Sequence, residues 1–122
     1  MLEHMFIWVE IPVADMKRAK AFYEHILQCE MQEMPMGDSD YAFFPVQEQF
    51  NGGALVQGTN HKPSTEGVTV YLYGGPDMDV ILSRVQQAGG QILMGKTYMG
   101  KTVGYIGMFR DSEGNRIGVQ HL

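Results

Sequence analysis

The stretch that decides the fold of this chain is Phe6–Leu27, FIWVEIPVADMKRAKAFYEHIL. Its first side chains alternate between two sets, and a period of two predicts a β-strand. One set is aliphatic and suits a buried sheet face, whereas the other includes Trp8 and Glu10. Asp15 can then accept hydrogen bonds from the free N–H groups of a helix start, so a helix is predicted to follow. The aliphatic strand set is Ile7, Val9, Ile11 and Val13, and the apolar helix stripe is Met16, Ala19, Phe22, Tyr23 and Ile26.

A second, diverged copy of this pattern lies further along the chain. Val68–Tyr73 alternates like a strand, Asp77 repeats the cap, and Gly89–Gly90 supplies a left-handed helix stop. Two copies in the same order indicate an internal duplication. The second helical stripe is Met78, Ile81, Leu82 and Val85, and the aligned positions are Trp8 with Thr69, Asp15 with Asp77, and Ala54–Gln57 with Ile117–Gln120.

Each predicted helix is followed by short strands joined by turns. Pro45 predicts an edge or a bulge, because proline cannot donate to a strand ladder. Gln47–Asn51 is predicted as a polar loop, and Gly37–Ser39 and Asp111–Asn115 are predicted as turns. The predicted strands are Glu30–Met36, Tyr41–Val46, Gly52–Gly58, Gln91–Met94 continued by Lys96–Tyr98, Val103–Arg110 and Arg116–His121. The order is therefore βαβββ, twice.

This order predicts an α+β fold with one domain over residues 1–122. Module one covers residues 6–58, a polar linker covers residues 59–67, and module two covers residues 68–122. A mixed sheet with a helix on one face leaves its other face bare, so we expect the two modules to form a cupped sheet around a common cavity. The side chains predicted to line this cavity are Trp8, Glu10, Leu55, Gln57, Thr69, Tyr71, Gly118 and Gln120.

Composition narrows the class of protein. The chain has 44% hydrophobic and 19% charged residues, as in ordinary soluble globular proteins. Its net charge of −5 disfavours nucleic acid as a partner, because phosphate binding needs a positive field. No apolar run approaches the length of a membrane span, and no secretory signal is evident at the N-terminus. With its single cysteine, Cys29, the sequence indicates a cytoplasmic protein without an internal disulfide.

Several residues are candidates for a functional site. Glu10, on a predicted mid-strand, could act as a general acid or base if partly buried. It could equally be a structural partner of the neighbouring strand or of a dimer seam. Gln57 and Gln120 could present amide groups to a ligand or pair with each other. The aromatic candidates, which could either line a ligand pocket or pack in the core, are Trp8, Phe44, Tyr71, Tyr73 and Tyr105.

Two stretches of the sequence resemble a known superfamily. Phe6–Leu27 together with Phe109–Gln120, FRDSEGNRIGVQ, is similar to the vicinal oxygen chelate superfamily, which includes glyoxalase I, bleomycin-resistance proteins and extradiol dioxygenases. The chain most resembles small single-domain members described as predicted enzymes related to lactoylglutathione lyase. The resemblance implies two βαβββ modules cupped around a cavity, and a homodimer. In the enzymes of the superfamily, four side chains near the cavity floor hold a divalent metal.

The four ligand positions of the superfamily are occupied here by residues that make poor ligands. By the resemblance they fall at Trp8, Leu55, Thr69 and Gly118. Indole and aliphatic side chains do not ligate a metal, glycine has no side chain, and one threonine hydroxyl is a weak ligand. We therefore expect neither a metal nor another cofactor. The four histidines, His4, His25, His61 and His121, lie elsewhere in the sequence.

Two functions follow as expectations, and the sequence leaves open whether the protein is an enzyme. The first is a cavity protein without the metal ligands that binds a small, partly apolar or aromatic molecule, in the manner of bleomycin-resistance proteins. The second is a metal-independent lyase or isomerase that uses Glu10 as acid or base. The predicted ligand-binding residues are Trp8, Phe44, Leu55, Gln57, Thr69, Tyr71, Tyr105, Gly118 and Gln120. A third possibility is that dimerisation or a protein partner matters more than the cavity.

Overall fold

The computed structural model describes residues 1–47 and 52–122, and the predicted order βαβββ, twice, is confirmed there. The predicted loop Gln47–Asn51 lies, apart from Gln47, outside the described residues. No described helix is both long and apolar enough to cross a lipid bilayer. The elements are β1 (Trp8–Pro12), α1 (Met16–Leu27), β2 (Gln32–Met36), β3 (Ser39–Phe43), β4 (Gly52–Gln57), β5 (Val70–Tyr73), α2 (Met78–Val85), β6 (Gln91–Tyr98), β7 (Tyr105–Arg110) and β8 (Arg116–His121).

The strands form two mixed sheets of four strands each. Sheet one has the order β1-β4-β3-β2, and sheet two has the order β5-β8-β7-β6. In each sheet the first and last strands of the module pair in parallel, and the other neighbours are antiparallel. The two sheets therefore repeat one topology, as the internal duplication predicts.

Some strand bounds differ from the prediction. Strand β3 begins at Ser39 instead of Tyr41, because Met36 pairs directly with Ser39 and leaves a two-residue turn. Gly37 in that turn has φ +63°, which favours glycine. The strand also ends earlier than predicted, so Pro45 lies beyond it. Strand β6 is continuous, with register shifts against β7 in its middle.

The helix caps follow the sequence signals. The Asp15 carboxylate accepts a hydrogen bond from the Arg18 N–H at 3.1 Å, and the Asp77 carboxylate accepts one from the Asp79 N–H at 3.0 Å. Helix α1 ends at Leu27, and the C-cap residue that follows, Gln28, has a left-handed φ of +52°. Helix α2 ends before the predicted stop, and Gly89 reaches its left-handed φ of +102° a few residues later.

One core joins the two modules. Each helix covers one face of its own sheet, and α1 and α2 also pack against each other. The rings of Phe22 and Phe109, one from each module, lie 5.9 Å apart between their centroids. Of the aliphatic strand set, Ile11 and Val13 are fully buried, whereas Ile7 precedes β1 and is exposed. The buried set comprises Ile11, Val13, Met16, Ala19, Phe22, Tyr23, Ile26, Met31, Ala42, Leu55, Met78, Leu82, Val85, Phe109, Ile117 and Val119.

The turn between β7 and β8 locks module two onto the start of α1. The Glu113 carboxylate accepts hydrogen bonds from the Ala14 N–H at 2.9 Å and the Asp15 N–H at 2.8 Å. Arg18 donates to the same carboxylate at 2.7 Å. The Asn115 side chain donates to the Pro12 carbonyl at 2.8 Å. The predicted turn Asp111–Asn115 is thus confirmed, and it also holds the two modules together.

The carboxyl groups of this turn are strongly hydrogen-bonded. Burial raises the pKa of Tyr23. The Tyr23 hydroxyl donates a hydrogen bond to the Asp111 carboxylate at 2.6 Å, and this carboxylate raises the pKa of Tyr23 further. Burial alone would raise the pKa of Glu113, but the hydrogen bonds from Arg18 and from backbone N–H groups outweigh it and lower that pKa. Glu113 is therefore held as a carboxylate at the junction.

The way in which the two modules meet within one chain could not be predicted from the sequence. Among the described residues, the strands of sheet one make no contact with the strands of sheet two, and the modules meet through their helices and the β7–β8 turn. Glu10 on β1 and Tyr71 on β5 therefore lie on separate sheets. Within one chain, each sheet keeps a separate uncovered face.

Candidate functional site

The uncovered face of sheet one, called face one here, is set by the strand register. Ile11 pairs with Leu55, and both belong to the core, so side chains one position away point to the other side of the sheet. Cross-strand partners share a face, which extends the assignment to β3 and β2. Face one is formed by Trp8, Glu10, Pro12, Gln32, Met34, Met36, Ser39, Tyr41, Phe43, Gly52, Ala54 and Val56.

Three aromatic rings lie in contact on face one. The centroids of Trp8 and Phe43 are 5.9 Å apart, and those of Phe43 and Tyr41 are 6.2 Å apart with ring planes only 12° from parallel. Trp8 is 43% exposed although it is the one tryptophan of the chain. Its ring lies against Gly52, where an added Cβ would come within 3.1 Å of it. The rings make a broad apolar surface that a flat ligand can cover.

A carboxylate and an imidazole also meet on face one, where Glu10 is in register with Ala54 and Phe43. Glu10 Oε1 lies 3.5 Å from His61 Nε2, and the two side chains are 36% and 28% exposed. His61 comes from the linker, which turns back over the sheet through a hydrogen bond from the His61 N–H to the Gly58 carbonyl at 3.2 Å. Sequence reasoning did not connect these residues, since no local pattern shows where a linker folds back.

The other nitrogen of His61 faces into the protein. His61 Nδ1 is buried and has no hydrogen-bond partner among residues 1–47 and 52–122. It lies next to Gly58 and Ser39, and an added Cβ at Gly58 would overlap the Ser39 hydroxyl and come within 3.1 Å of Nδ1. Glycine at position 58 is therefore what allows the imidazole to approach the sheet this closely. An open cavity of about 650 Å³ adjoins this point, lined in part by Asp38, Ser39, Gly58, His61 and Lys62.

The uncovered face of sheet two, face two, repeats part of this arrangement. Tyr71 pairs with Gly118, and its ring lies so close that any Cβ at Gly118 would overlap it. The Gln120 side chain donates to the Val103 carbonyl at 2.9 Å. Tyr73 is 78% exposed. Face two is formed by Tyr71, Tyr73, Ile106, Met108, Arg110, Arg116, Gly118 and Gln120, and a cavity of about 480 Å³ at its edge is lined by Tyr71, Tyr73, Gln120 and His121, among others.

The predicted face is wrong for several candidates. Leu55 is fully buried beside Ile11, because β4 is offset by one residue from the sequence alignment. By strand pairing, Leu55 corresponds to Val119, and Ala54 corresponds to Gly118. A one-residue slip moves every side chain to the opposite face of a strand. Gln57 therefore also lies on the helix side of the sheet, like Leu55.

Three further candidates lie on the helix side or outside the strands. Phe44 packs edge-on against Tyr23, with centroids 5.7 Å apart, at the margin of the core. Tyr105 also packs against the core, and its ring meets His121. The Thr69 hydroxyl precedes β5 and accepts a hydrogen bond from Arg116 at 2.8 Å.

Gln57 has a structural partner that the sequence did not indicate. Its side-chain oxygen accepts a hydrogen bond from the Met16 N–H at 2.8 Å, at the start of α1. The N–H groups of a first helical turn have no partner within the helix, so this contact satisfies one of them. Of the predicted residues, face one therefore holds Trp8 and Glu10, and face two holds Tyr71, Gly118 and Gln120.

Cys29 does not belong to either face. It follows helix α1 and is partly buried against the core. Burial raises the pKa of the Cys29 thiol, and the neighbouring Glu24 carboxylate raises it further. Because the thiolate is the reactive form of cysteine, this position suits a small packing residue better than a nucleophile.

A repeated sheet with one helix-covered face and one uncovered aromatic face defines a class of paired βαβββ proteins. The model of the Glyoxalase/Bleomycin resistance protein/Dioxygenase superfamily matches residues 5–119, so the chain belongs to that superfamily. No curated protein matches the chain at a significant level.

Solved structures show the same fold. A glyoxalase/bleomycin resistance protein from Albidiferax ferrireducens is 20% identical with a TM-score of 0.71, covering 98% of this chain and 100% of its own. One from Streptomyces sp. is 21% identical with a TM-score of 0.70, covering 96% of this chain and 100% of its own. A glyoxalase I variant from Zea mays is 14% identical with a TM-score of 0.67, covering 93% of this chain and 45% of its own. At these identities the likeness establishes the fold alone.

The metal site implied by the superfamily does not fit the donor set on either face. On face one, the positions around Trp8 are Gly52, Ala54 and Val56, which offer no oxygen, nitrogen or sulfur ligand. In the part of the chain that the structure describes, no three His, Cys, Asp or Glu side chains are grouped so that they could hold a metal ion. The pair of Glu10 and His61 supplies two donors, fewer than the three protein ligands of an ordinary catalytic zinc site.

Proposed function

We propose that this protein binds a small, partly apolar or aromatic molecule on face one without a metal ion. The observation that carries the proposal is the contact of Trp8 with Phe43 and of Phe43 with Tyr41 on a sheet face that no helix covers. Large exposed apolar patches on soluble proteins commonly mark binding sites. Aromatic rings supply most of the apolar contact in small-molecule pockets.

We further propose that a second copy of the chain completes the cavity. Each chain has two uncovered faces, and both carry exposed aromatic side chains, Trp8 on face one and Tyr71 and Tyr73 on face two. In a two-fold dimer, face one of each copy can lie against face two of the other copy. This arrangement covers all four uncovered faces of the two chains. The ligand then lies between Trp8 of one chain and face two of its partner, as the superfamily's expected homodimer implies.

A neutral fluorescent probe, N-phenyl-1-naphthylamine, tests the proposed binding in buffer that contains EDTA. We expect saturable binding and a higher melting temperature with the probe. Trp8→Ala should weaken the affinity about tenfold, the size expected from removing a large aromatic contact. Phe6→Ala is the matched control, since Phe6 is also an exposed aromatic residue but precedes β1. Equal affinity of the two variants and the wild type contradicts the proposal.

Two measurements address the metal and the dimer. We expect elemental analysis to find less than one divalent ion per chain, and added zinc, nickel or manganese to leave the melting temperature unchanged. One tightly held ion per chain contradicts a metal-independent site. Sedimentation velocity over a range of concentrations should show a dimer, and a monomer at all concentrations contradicts the shared cavity.

The contact between Glu10 and His61 favours a second function, a metal-independent lyase or isomerase. A carboxylate and an imidazole 3.5 Å apart beside an apolar surface can transfer a proton to or from a bound substrate. The reaction to assay is that of lactoylglutathione lyase, the enzyme to which the resembling proteins are described as related. If Glu10 is the acid or base, Glu10→Gln should abolish EDTA-resistant turnover while the circular dichroism spectrum stays unchanged. No turnover by the wild type leaves binding as the function.

A further inference from the structure

The charge pattern of face one narrows the chemistry of its ligand. Glu10 is the only charged side chain on face one as defined above, and no Lys or Arg from the described strands lies on it. Glu33, the acidic residue of β2, points to the helix side and pairs with Lys20 of α1. The face therefore combines one carboxylate with an uncharged aromatic surface.

The distance between these two features suits one small molecule. Trp8 and Glu10 are two residues apart on one strand, so their side chains leave the sheet about 7 Å apart. The Glu10 side chain remains 36% exposed despite its contact with His61, so a ligand can reach the carboxylate. Aromatic ring faces attract cations through their negative charge distribution, and a carboxylate attracts them directly. Both features favour a positive group.

Resting on the proposed function, we propose that face one recognises an organic cation: a protonated amine joined by a short linker to an aromatic or apolar group. The apolar part covers Trp8 and Phe43, and the ammonium group lies beside Glu10. His61 acts as a positioning residue, since its contact through Nε2 fixes the Glu10 side chain on the face. An anionic ligand finds no Lys or Arg on face one itself.

Charged groups near the site do not reverse this preference. Lys62 lines the adjoining cavity, but Asp38 and Asp40 line it as well. The two arginines of face two keep their charge, but each is held within module two by a hydrogen bond, Arg116 to Thr69 at 2.8 Å and Arg110 to Gln91 at 3.0 Å. The chain as a whole carries a net charge of −5, which also attracts cations over anions.

Three probes of nearly equal size test the inference: 2-phenylethylamine, 2-phenylethanol and phenylacetate. Each competes with N-phenyl-1-naphthylamine for the protein in EDTA at low ionic strength and neutral pH. We expect the amine to bind about tenfold more tightly than the alcohol, the size of a charge-assisted contact, and phenylacetate to bind most weakly. High salt should reduce the advantage of the amine.

Glu10→Gln keeps the shape of the side chain and removes its charge. We expect the amine and the alcohol to bind this variant about equally, while affinity for the neutral naphthylamine is retained. Glu30→Gln, at an exposed position outside face one, is the matched control and should keep the wild-type ratio. If Glu10→Gln does not fold, the ratio measured on the wild type decides alone.

The outcomes separate this inference from the proposed function. Equal wild-type affinities for amine and alcohol, or an unchanged ratio in Glu10→Gln, overturn the cation preference and leave binding of aromatic molecules intact. A wild-type protein that binds neither the naphthylamine nor the amine overturns both. A tenfold preference that disappears in Glu10→Gln supports the inference.

Discussion

The indole ring of Trp8 lies directly against Gly52, its partner on the neighbouring strand, and Tyr71 lies against Gly118 in the same way. In both modules, an aromatic side chain of the first strand thus rests on a glycine of the last strand, on the face away from the helices. Any larger residue at these positions would displace the ring. The two glycines are therefore part of what shapes the aromatic faces.

Gly52→Ala should disturb the aromatic contact without unfolding the protein. The new Cβ would lie 3.1 Å from the Trp8 ring, so the ring has to shift by a few tenths of an ångström from its place beside Phe43. We expect a shifted Trp8 emission spectrum and several-fold weaker binding of the naphthylamine. Gly95→Ala is the control, since a Cβ there meets no atom within 4 Å. An unchanged affinity in Gly52→Ala would mean that the ligand does not contact Trp8.

Tyr23→Phe should destabilise the junction of the modules. The Tyr23 hydroxyl donates to Asp111 at 2.6 Å in a fully buried position, and its loss leaves part of that carboxylate without a donor. Losing a buried hydrogen bond to a charged group costs about 1–3 kcal/mol, so the free energy of unfolding in urea should fall by that amount. Tyr98→Phe, at an exposed position, should change it little. Equal values for the two variants would contradict the structural role of this contact.

Because of Glu113, the stability of the folded protein should decrease at acidic pH. Its pKa in the folded protein lies below the ordinary value of 4.5, so its carboxylate stabilises the fold above that pH and loses this contribution as pH falls through the folded pKa. We expect the melting temperature to drop below about pH 4.5. Glu113→Gln should lower stability at neutral pH and flatten this acid dependence, whereas Glu66→Gln, which is exposed, should retain it. If the melting temperatures of Glu113→Gln and the wild type fall in parallel as the pH is lowered, Glu113 is not the source of the acid dependence.

Gln57→Ala distinguishes a structural glutamine from a ligand-binding one. The side-chain oxygen of Gln57 accepts from the Met16 N–H at the start of α1. Loss of such a helix-start contact costs about 1 kcal/mol, so we expect a lower free energy of unfolding and an unchanged affinity for the naphthylamine. Gln87→Ala, at an exposed position after α2, is the stability control. A large loss of affinity with normal stability would restore Gln57 as a ligand-binding residue.

The sequence predicted the fold well because local signals agreed with one another. The Asp15 cap and the α1 stripe appear in the structure at the predicted residues, and the period of β1 appears over Trp8–Pro12. The repeat of the same signals around Asp77 identified the second module. Periodicity and capping depend on neighbouring residues only, so they can be read along the chain.

The site was predicted less well because it depends on register and on contacts between distant segments. A one-residue offset in β4 placed Leu55 on the wrong face. The approach of His61 to Glu10 depends on how the linker folds, and the turn at Glu113 gave no sign that it would bind the start of α1. The separation of the two faces could not be predicted, because it depends on how α1 packs against α2.

The most direct test of metal-independent binding on face one is the NMR signal of the Trp8 indole N–H. The chain has one tryptophan, so this signal is assigned without ambiguity in ¹⁵N-labelled protein. With EDTA present, titration with the naphthylamine should shift the signal and reach saturation. A signal that stays in place while the probe binds, or that shifts only after a divalent metal is added, would contradict the account.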